Sequence, residues 1–308
     1  MKAYFLKRIL YLIITLFVIA SATFFLMKLM PGSPLSNQAK LTAEQEAIIL
    51  EKYNLNDPIP LQYVKYMTNL VQGDLGISFQ FEGRKVTDLI LQRIGPSAQL
   101  GFQSMIFGSL FGMVLGIIAA VRHNSYLDYS STLLSVIGIS IPSFVFAGLL
   151  QYYVGVKLQW LPVAFWEGFE YTILPTIALM IFPMAVTARF MRTELLEVLN
   201  QDYIILAKAK GVNSANVVVF HAVRNALIPL ITVLGPMLVG IMTGTLVIEQ
   251  IFSVPGLGEQ FVRSITMNDY PVIMGTTLFF SFLFIAMILI VDFAYGLIDP
   301  RIRLGDKN

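Results

Sequence analysis

Cysteine is absent from the 308 residues of this chain, which removes disulfide frameworks, thiolate zinc sites, iron–sulfur clusters and cysteine nucleophiles together. Charge is scarce as well. Asp, Glu, Lys and Arg make up 13% of the residues, about half the share found in a water-soluble domain. The 21 basic and 19 acidic side chains nearly cancel, so no cationic surface stands ready to neutralise nucleic-acid phosphates. The two histidines, His123 and His221, show no HExxH or other metal-ligand spacing and are read as interfacial groups. The sequence holds no GxxxxGKS or GxxxxGKT phosphate loop, no GxSxG and no carboxylate pair within an apolar run, which argues against nucleotide binding by this chain and against an intramembrane enzyme. What it has in excess is apolar surface: 56% hydrophobic residues and a mean hydropathy of +0.72 point to a bilayer.

Charge-free runs occupy residues 9–27, 94–121, 129–156, 171–188, 225–248 and 270–291. Each is long enough to cross a hydrocarbon core about 30 Å thick as a helix, the form that satisfies its own backbone groups in lipid. The expectation is an all-α integral membrane protein with six transmembrane helices. Lys2, Lys7, Arg8, Arg122, Arg189, Arg192, Lys208, Lys210, Arg224, Arg301, Arg303 and Lys307 fall on one side of that frame, whereas the short connections of the other side hold only Lys157 and Arg263. Basic residues are retained in the cytoplasm, so both termini are expected there. Ala20-Ser21-Ala22 resembles a signal-peptide cleavage site, but the apolar run continues through Leu26 and favours an uncleaved first helix.

Four parts follow from this division: residues 1–29 with the first helix, an external helical subdomain at 30–93, a five-helix core at 94–298, and a cytoplasmic tail at 299–308. In the subdomain, Thr42 and Gln45 form a capping box that opens a helix at 43–52. Leu61, Val64, Thr68 and Val71 mark a second helix ending at Gly73. A third stretch, 86–94, is expected to lie on the bilayer surface before turning inward at Pro96.

The cytoplasmic loop at 189–225 is patterned as helix, short helix, helix. Asp202 is expected to cap a helix at 203–210, Gly211 to supply its left-handed stop, and Ser214 to cap a further helix running toward Pro229. The central helix is too short to be stable alone in water, and suits a segment that docks into a partner's groove.

The segment Asp202-Tyr203-Ile204-Ile205-Leu206-Ala207-Lys208-Ala209-Lys210-Gly211, followed by His221-Ala222-Val223-Arg224-Asn225-Ala226-Leu227-Ile228-Pro229, resembles the ATPase-docking loop of permeases from binding-protein-dependent ATP-binding-cassette importers. The likeness is greatest to the dipeptide/oligopeptide and nickel branch. Gly73-Asp74-Leu75-Gly76-Ile77-Ser78, Phe252-Ser253-Val254-Pro255-Gly256-Leu257-Gly258 and Asp299-Pro300-Arg301-Ile302-Arg303 resemble the same branch in the same order. The resemblance implies a type I ABC importer permease fold in the bacterial cytoplasmic membrane, with docking residues Asp202, Tyr203, Ala207, Lys208, Ala209, Lys210, Gly211 and Arg224. It also implies a second homologous permease, two ATPase subunits that bind ATP and magnesium, an external solute-binding protein, and peptide as substrate, with nickel or another small solute as the alternative. One departure stands out: where the wider family begins its loop Glu-Ala-Ala, this chain has Ile205, Leu206 and Ala207.

Gly108, Gly112 and Gly116, and Gly240 with Gly244, supply small residues at helical spacing for close contacts, within the bundle or with a second permease. Pro142, Pro183, Pro229 and Pro236 suggest kinks. Pro255, Gly256 and Gly258 mark a loop that reaches the pore mouth, touches a binding protein or forms a plain reentrant turn. Asp292, the one ionisable residue in the last apolar run, is read as an interfacial partner of Arg301 or Arg303. An ion-coupled carrier, the rival from another class, would be expected to place several carboxylates or histidines at mid-membrane.

Overall fold

The computed structural model describes residues 2–30, 50–51, 55–81, 83–244 and 246–298. The Thr42–Gln45 capping box, all but the end of the helix expected at 43–52, the tail with Arg301, Arg303 and Lys307, and the side chain of Asp292 lie outside them. Every long element described is helical: α1 (Lys2–Leu29), α2 (Ile59–Val71), α3 (Val86–Val121), α4 (Tyr126–Ser140), α5 (Ser143–Leu150), a π-helical segment (Gln151–Lys157), α6 (Glu170–Leu199), α7 (Asp202–Ala209), α8 (Ser214–Asn216), a second π-helical segment (Val217–Val223), α9 (Arg224–Gly244), α10 (Leu246–Ile251), α11 (Leu257–Thr266) and α12 (Tyr270–Ile298). Among the described residues, four helices are long and apolar enough to cross a membrane: 6–29, 86–121, 170–199 and 270–291. Two bent pairs, 126–140 with 143–157 and 214–227 with 229–242, bring the number to six when each is one span. The bends are 100° between residues 140 and 143, where Pro142 interrupts the helix, and 54° between residues 227 and 229, within α9. Pro183, Pro229 and Pro236 all sit inside continuous helices.

The chain divides into two compact units. The first comprises residues 1–95 and 256–286. In it Phe24 of α1 stacks on Tyr66 of α2 and meets Tyr63 edge-on, with centroids 5.5 and 5.3 Å apart. Val86, Leu89 and Ile90 form a buried cluster with Leu257 and Val272. A Cβ on Gly275 would fall 2.5 Å from Val86 Cγ1, so Val86 rests directly on the α12 backbone. This corrects the surface-helix expectation for 86–94. The apolar face predicted to meet lipid is covered by protein, and α3 runs through Pro96 without ending. Burial of that face outweighs the roughly 3 kcal/mol that an internal proline costs.

The second unit comprises residues 96–255 and 287–308. Its core joins Leu100, Leu174, Ala178, Ile248, Phe252 and neighbours in one cluster, and Met191, Leu195, Ile204, Val217, Ala222, Ala226 and Leu230 in another. Gly108, Gly112 and Gly116 of α3 all face α6: a Cβ at these positions would lie 2.6, 2.4 and 2.6 Å from the carbonyl oxygens of Met180, Met184 and Ala188. Small-residue stripes of this kind let helix backbones approach in lipid, where apolar burial gives no net drive for association.

Candidate functional site

The segment after α6 folds back on the second unit as a helix–turn–helix whose interior is apolar. Ile204 of α7 is fully buried against Met191 and Leu195 of α6 and Val217, Ala222 and Ala226 beyond the turn. This one anchor fixes a helix of eight residues that would be marginal in isolation. Tyr203 adds a polar tie, its hydroxyl accepting from Asn225 Nδ2 at 3.0 Å, while that amide also donates to His221 O at 2.7 Å.

The caps fall one residue from where they were expected. Gln201, not Asp202, is the N-cap residue and makes no side-chain cap; Asp202 occupies the first turn, where its charge complements the helix dipole. Asn213, not Ser214, caps the next helix by accepting from Ala215 N at 2.9 Å. Gly211 does adopt the left-handed conformation, at φ +81°. Gly211 N donates to Lys208 O and Val212 N to Ala207 O, the paired bonds of a Schellman stop, with Val212 and Ala207 both packed on the core.

Burial divides the candidate residues. Ala207 is half-buried, whereas Asp202, Tyr203, Lys208, Ala209, Lys210, Gly211 and Arg224 are exposed. Ile205 and Leu206 are 56% and 55% exposed, and Val219 and Phe220 reach 56% and 68%. Isoleucine and leucine on the outer face of a short, well-anchored helix make a firm apolar knob. A Cβ at Gly240 meets no atom within 4 Å in this chain, and the surroundings of Gly244 lie outside the described residues. Pro255 is exposed, while Gly256 and Gly258 are buried, Gly256 standing as the N-cap residue of α11.

Three polar centres escaped the sequence reading. Asp128, 2% exposed, receives Arg192 at both oxygens, the backbone N–H of Asn124 at 2.9 Å and His123 Nδ1 at 3.0 Å. Its signal was Ser125 three residues earlier, whose hydroxyl accepts from Asp128 N. Glu249, fully buried, accepts from Ser97 Oγ at 2.7 Å. Asp269, also fully buried, accepts from Ser78 Oγ and from the N–H groups of Phe79 and Gln80. Among the described residues, no group of three metal-ligating side chains comes together.

Comparison with known proteins decides the family. The model of the binding-protein-dependent transport system inner membrane component matches residues 112–304, and that of the N-terminal part of such membrane components matches residues 1–99. The chain belongs to this permease family. The permease is 46% identical to the dipeptide transport system permease protein DppB of Lactococcus lactis, covering 99% of this chain and 100% of the relative. It is 44% identical to DppB of Bacillus subtilis, over 100% of both chains. The oligopeptide transport system permease protein OppB of Haemophilus influenzae is 41% identical, over 98% of the permease and 100% of that relative. Among solved structures, the MetNI methionine ABC transporter aligns at TM-score 0.54 with 18% identity, covering 69% of the permease and 95% of its own chain. An amino acid ABC transporter crystallised with histidines aligns at 0.51 with 16% identity, over 70% and 94%. These two likenesses establish the fold, that of an ABC importer permease. The permease is thus a multi-pass inner-membrane component of a binding-protein-dependent transport system, a transport subunit and not an enzyme.

Proposed function

We propose that this permease forms, with a second homologous permease, the membrane pathway of an ATP-driven importer for dipeptides or oligopeptides. An external binding protein delivers the peptide. Two ATPase subunits hold ATP and its magnesium and seat α7 in a groove. The full-length identity to DppB and OppB carries the substrate class and favours peptide over nickel. The exposed Ile205 and Leu206 on an anchored helix support the docking role. Closure of the ATPases on ATP then moves α7 as a rigid piece, because Ile204 and the Gly211 stop bind it to the helices behind, and the spans exchange between two arrangements.

Purification from native membranes in mild detergent, with mass spectrometry of co-eluting chains and ATP-dependent uptake of a labelled dipeptide in vesicles, tests this reading. A second permease, ATPase subunits and a peptide-loaded binding protein are the expected companions. Recovery of the chain alone, with uptake driven by an ion gradient without ATP, would overturn it.

A further inference from the structure

Lys28 stands in the last turn of α1, where the helix dipole favours a cation. It is half-buried. Its ammonium donates to Gln62 Oε1 and lies 5.5 Å from the ring centroid of Phe24. Gln62 is itself fixed, its Nε2 donating to Leu55 O at 3.0 Å and Asp57 O at 2.7 Å. The lysine is therefore held in place by a neutral amide and an aromatic face. Among the described residues no carboxylate pairs with it.

Lys28 lines a cavity of about 400 Å³ between α1, α2, the turn at 74–79 and the start of α12. Two other charged groups lie on this wall, one of each sign. Lys65 pairs with Asp57 at 2.7 Å, and Asp74 Oδ1 accepts from Gly76 N at 2.9 Å. Much of the remaining lining is apolar, with Met27, Phe79 and Met274 among it. An ammonium has three donors, and this one spends a single donor on a neutral partner. The arrangement is complementary to an anion that brings apolar material with it. Phe25 and Leu29, on the adjoining face of the same helix, are 47% and 79% exposed, so hydrocarbon chains have a surface to run along at this level. A phosphate oxygen would accept from the free ammonium donors in charge-assisted hydrogen bonds.

We propose that this cavity binds the phosphodiester of an anionic phospholipid, with Lys28 as the residue that holds the phosphate. The lipid fastens the end of α1 to α2 and α12 as a structural ligand.

The test uses the complete assembly, reconstituted in nanodiscs of phosphatidylethanolamine with a minor fraction of phosphatidylglycerol, and native mass spectrometry to count the lipids retained. Wild type should retain phosphatidylglycerol in preference to phosphatidylethanolamine. Lys28→Gln should lower that retention about fivefold, as expected for one lysine at a lipid surface, and Lys28→Arg should restore it. Lys65→Gln, which removes a lysine already paired, should leave it near wild type. Should Lys28→Gln fail to assemble, Gln62→Met, which keeps the charge and loses its anchor, should lower retention in its place. Equal retention by wild type and the variant used would overturn the proposal, as would equal loss of both lipids. Binding of soluble glycerol phosphate as tight as that of the lipid, or displacement of the lipid by trialanine, would assign the site to another ligand and overturn it too.

Discussion

Arg192 grips Asp128 at both carboxylate oxygens, Nε to Oδ1 at 2.6 Å and Nη2 to Oδ2 at 2.9 Å. The pair joins the start of α4 to α6, and the side chain of Asp128 is only 3% exposed. Arg192→Ala would leave that carboxylate with only the Asn124 N–H and His123, a loss of about 1.5 to 3 kcal/mol, the range for a hydrogen bond to a charged group. Arg192→Lys should recover part of it, since an ammonium lacks the planar fork that meets two oxygens at once. Thermal unfolding of the detergent-purified assembly measures both, and an Arg192→Ala melting temperature equal to wild type would show that the pair does not hold these helices.

The glycine contacts between α3 and α6 set a steric limit. In Gly112→Ala the new methyl would lie 2.4 Å from Met184 O and 2.8 Å from Thr187 Cβ, so one helix must move away, at a cost of about 1 to 3 kcal/mol. Gly148→Ala on α5 is the control, because a Cβ there meets nothing within 4 Å and alanine is the better helix former by up to about 1 kcal/mol. Thermal stability and yield should separate the two variants in opposite directions.

Replacing an outward residue of α7 should separate docking from folding. Leu206→Asp alters a side chain already 55% exposed, so membrane insertion and melting temperature should hold while co-purifying ATPase and peptide uptake fall at least tenfold, the factor corresponding to about 1.4 kcal/mol. Ile204→Ala, which empties a buried site, should instead cost about 2 to 5 kcal/mol of stability. Wild-type ATPase recovery by Leu206→Asp would refute the docking assignment.

Burial pushes the Asp269 carboxyl above its ordinary value of 3.8, against the lowering effect of Ser78 and three backbone N–H groups. The folded protein therefore keeps this proton to higher pH than the unfolded chain does. The associated stability is fully present below the unfolded carboxylate pKa and is lost as pH rises through the raised folded value. Asp269→Asn removes the titration, so its melting temperature should change less than that of wild type between about pH 4 and neutrality. Parallel pH profiles in the two proteins would mean that the carboxylate does not titrate in this window.

The four long spans and the two bent pairs that bring the number to six among the described residues were readable from the sequence because a bilayer forces charge out of long segments, and the membrane imposes that pattern locally. Gly211 was readable for a similar reason: its left-handed backbone is a local requirement that favours glycine. The caps at Gln201 and Asn213 were each misplaced by one residue, since several neighbouring polar residues could cap and only the turn geometry selects among them. The surface reading of 86–94 failed because an apolar face looks the same in sequence whether lipid or protein covers it. Leu257 and Val272, which cover it here, are far away in the chain. Asp128 with Arg192, Ser97 with Glu249 and Ser78 with Asp269 are separated by 64, 152 and 191 positions, and no periodicity reports pairings of that range.

The Ser78–Asp269 contact also orders events during synthesis. The turn at 78–80 emerges early, yet the carboxylate that organises its hydroxyl and N–H groups is translated 191 residues after Ser78. Until α11 and the first turn of α12 are in place, the bonds from that turn to Asp269 are unmade and the cluster around Val86 lacks Leu257 and Val272. A turn synthesised early is thus among the last to be finished. A chain stopped short of residue 269 would lack that carboxylate and leave the turn at 78–80 incompletely ordered and open to proteases.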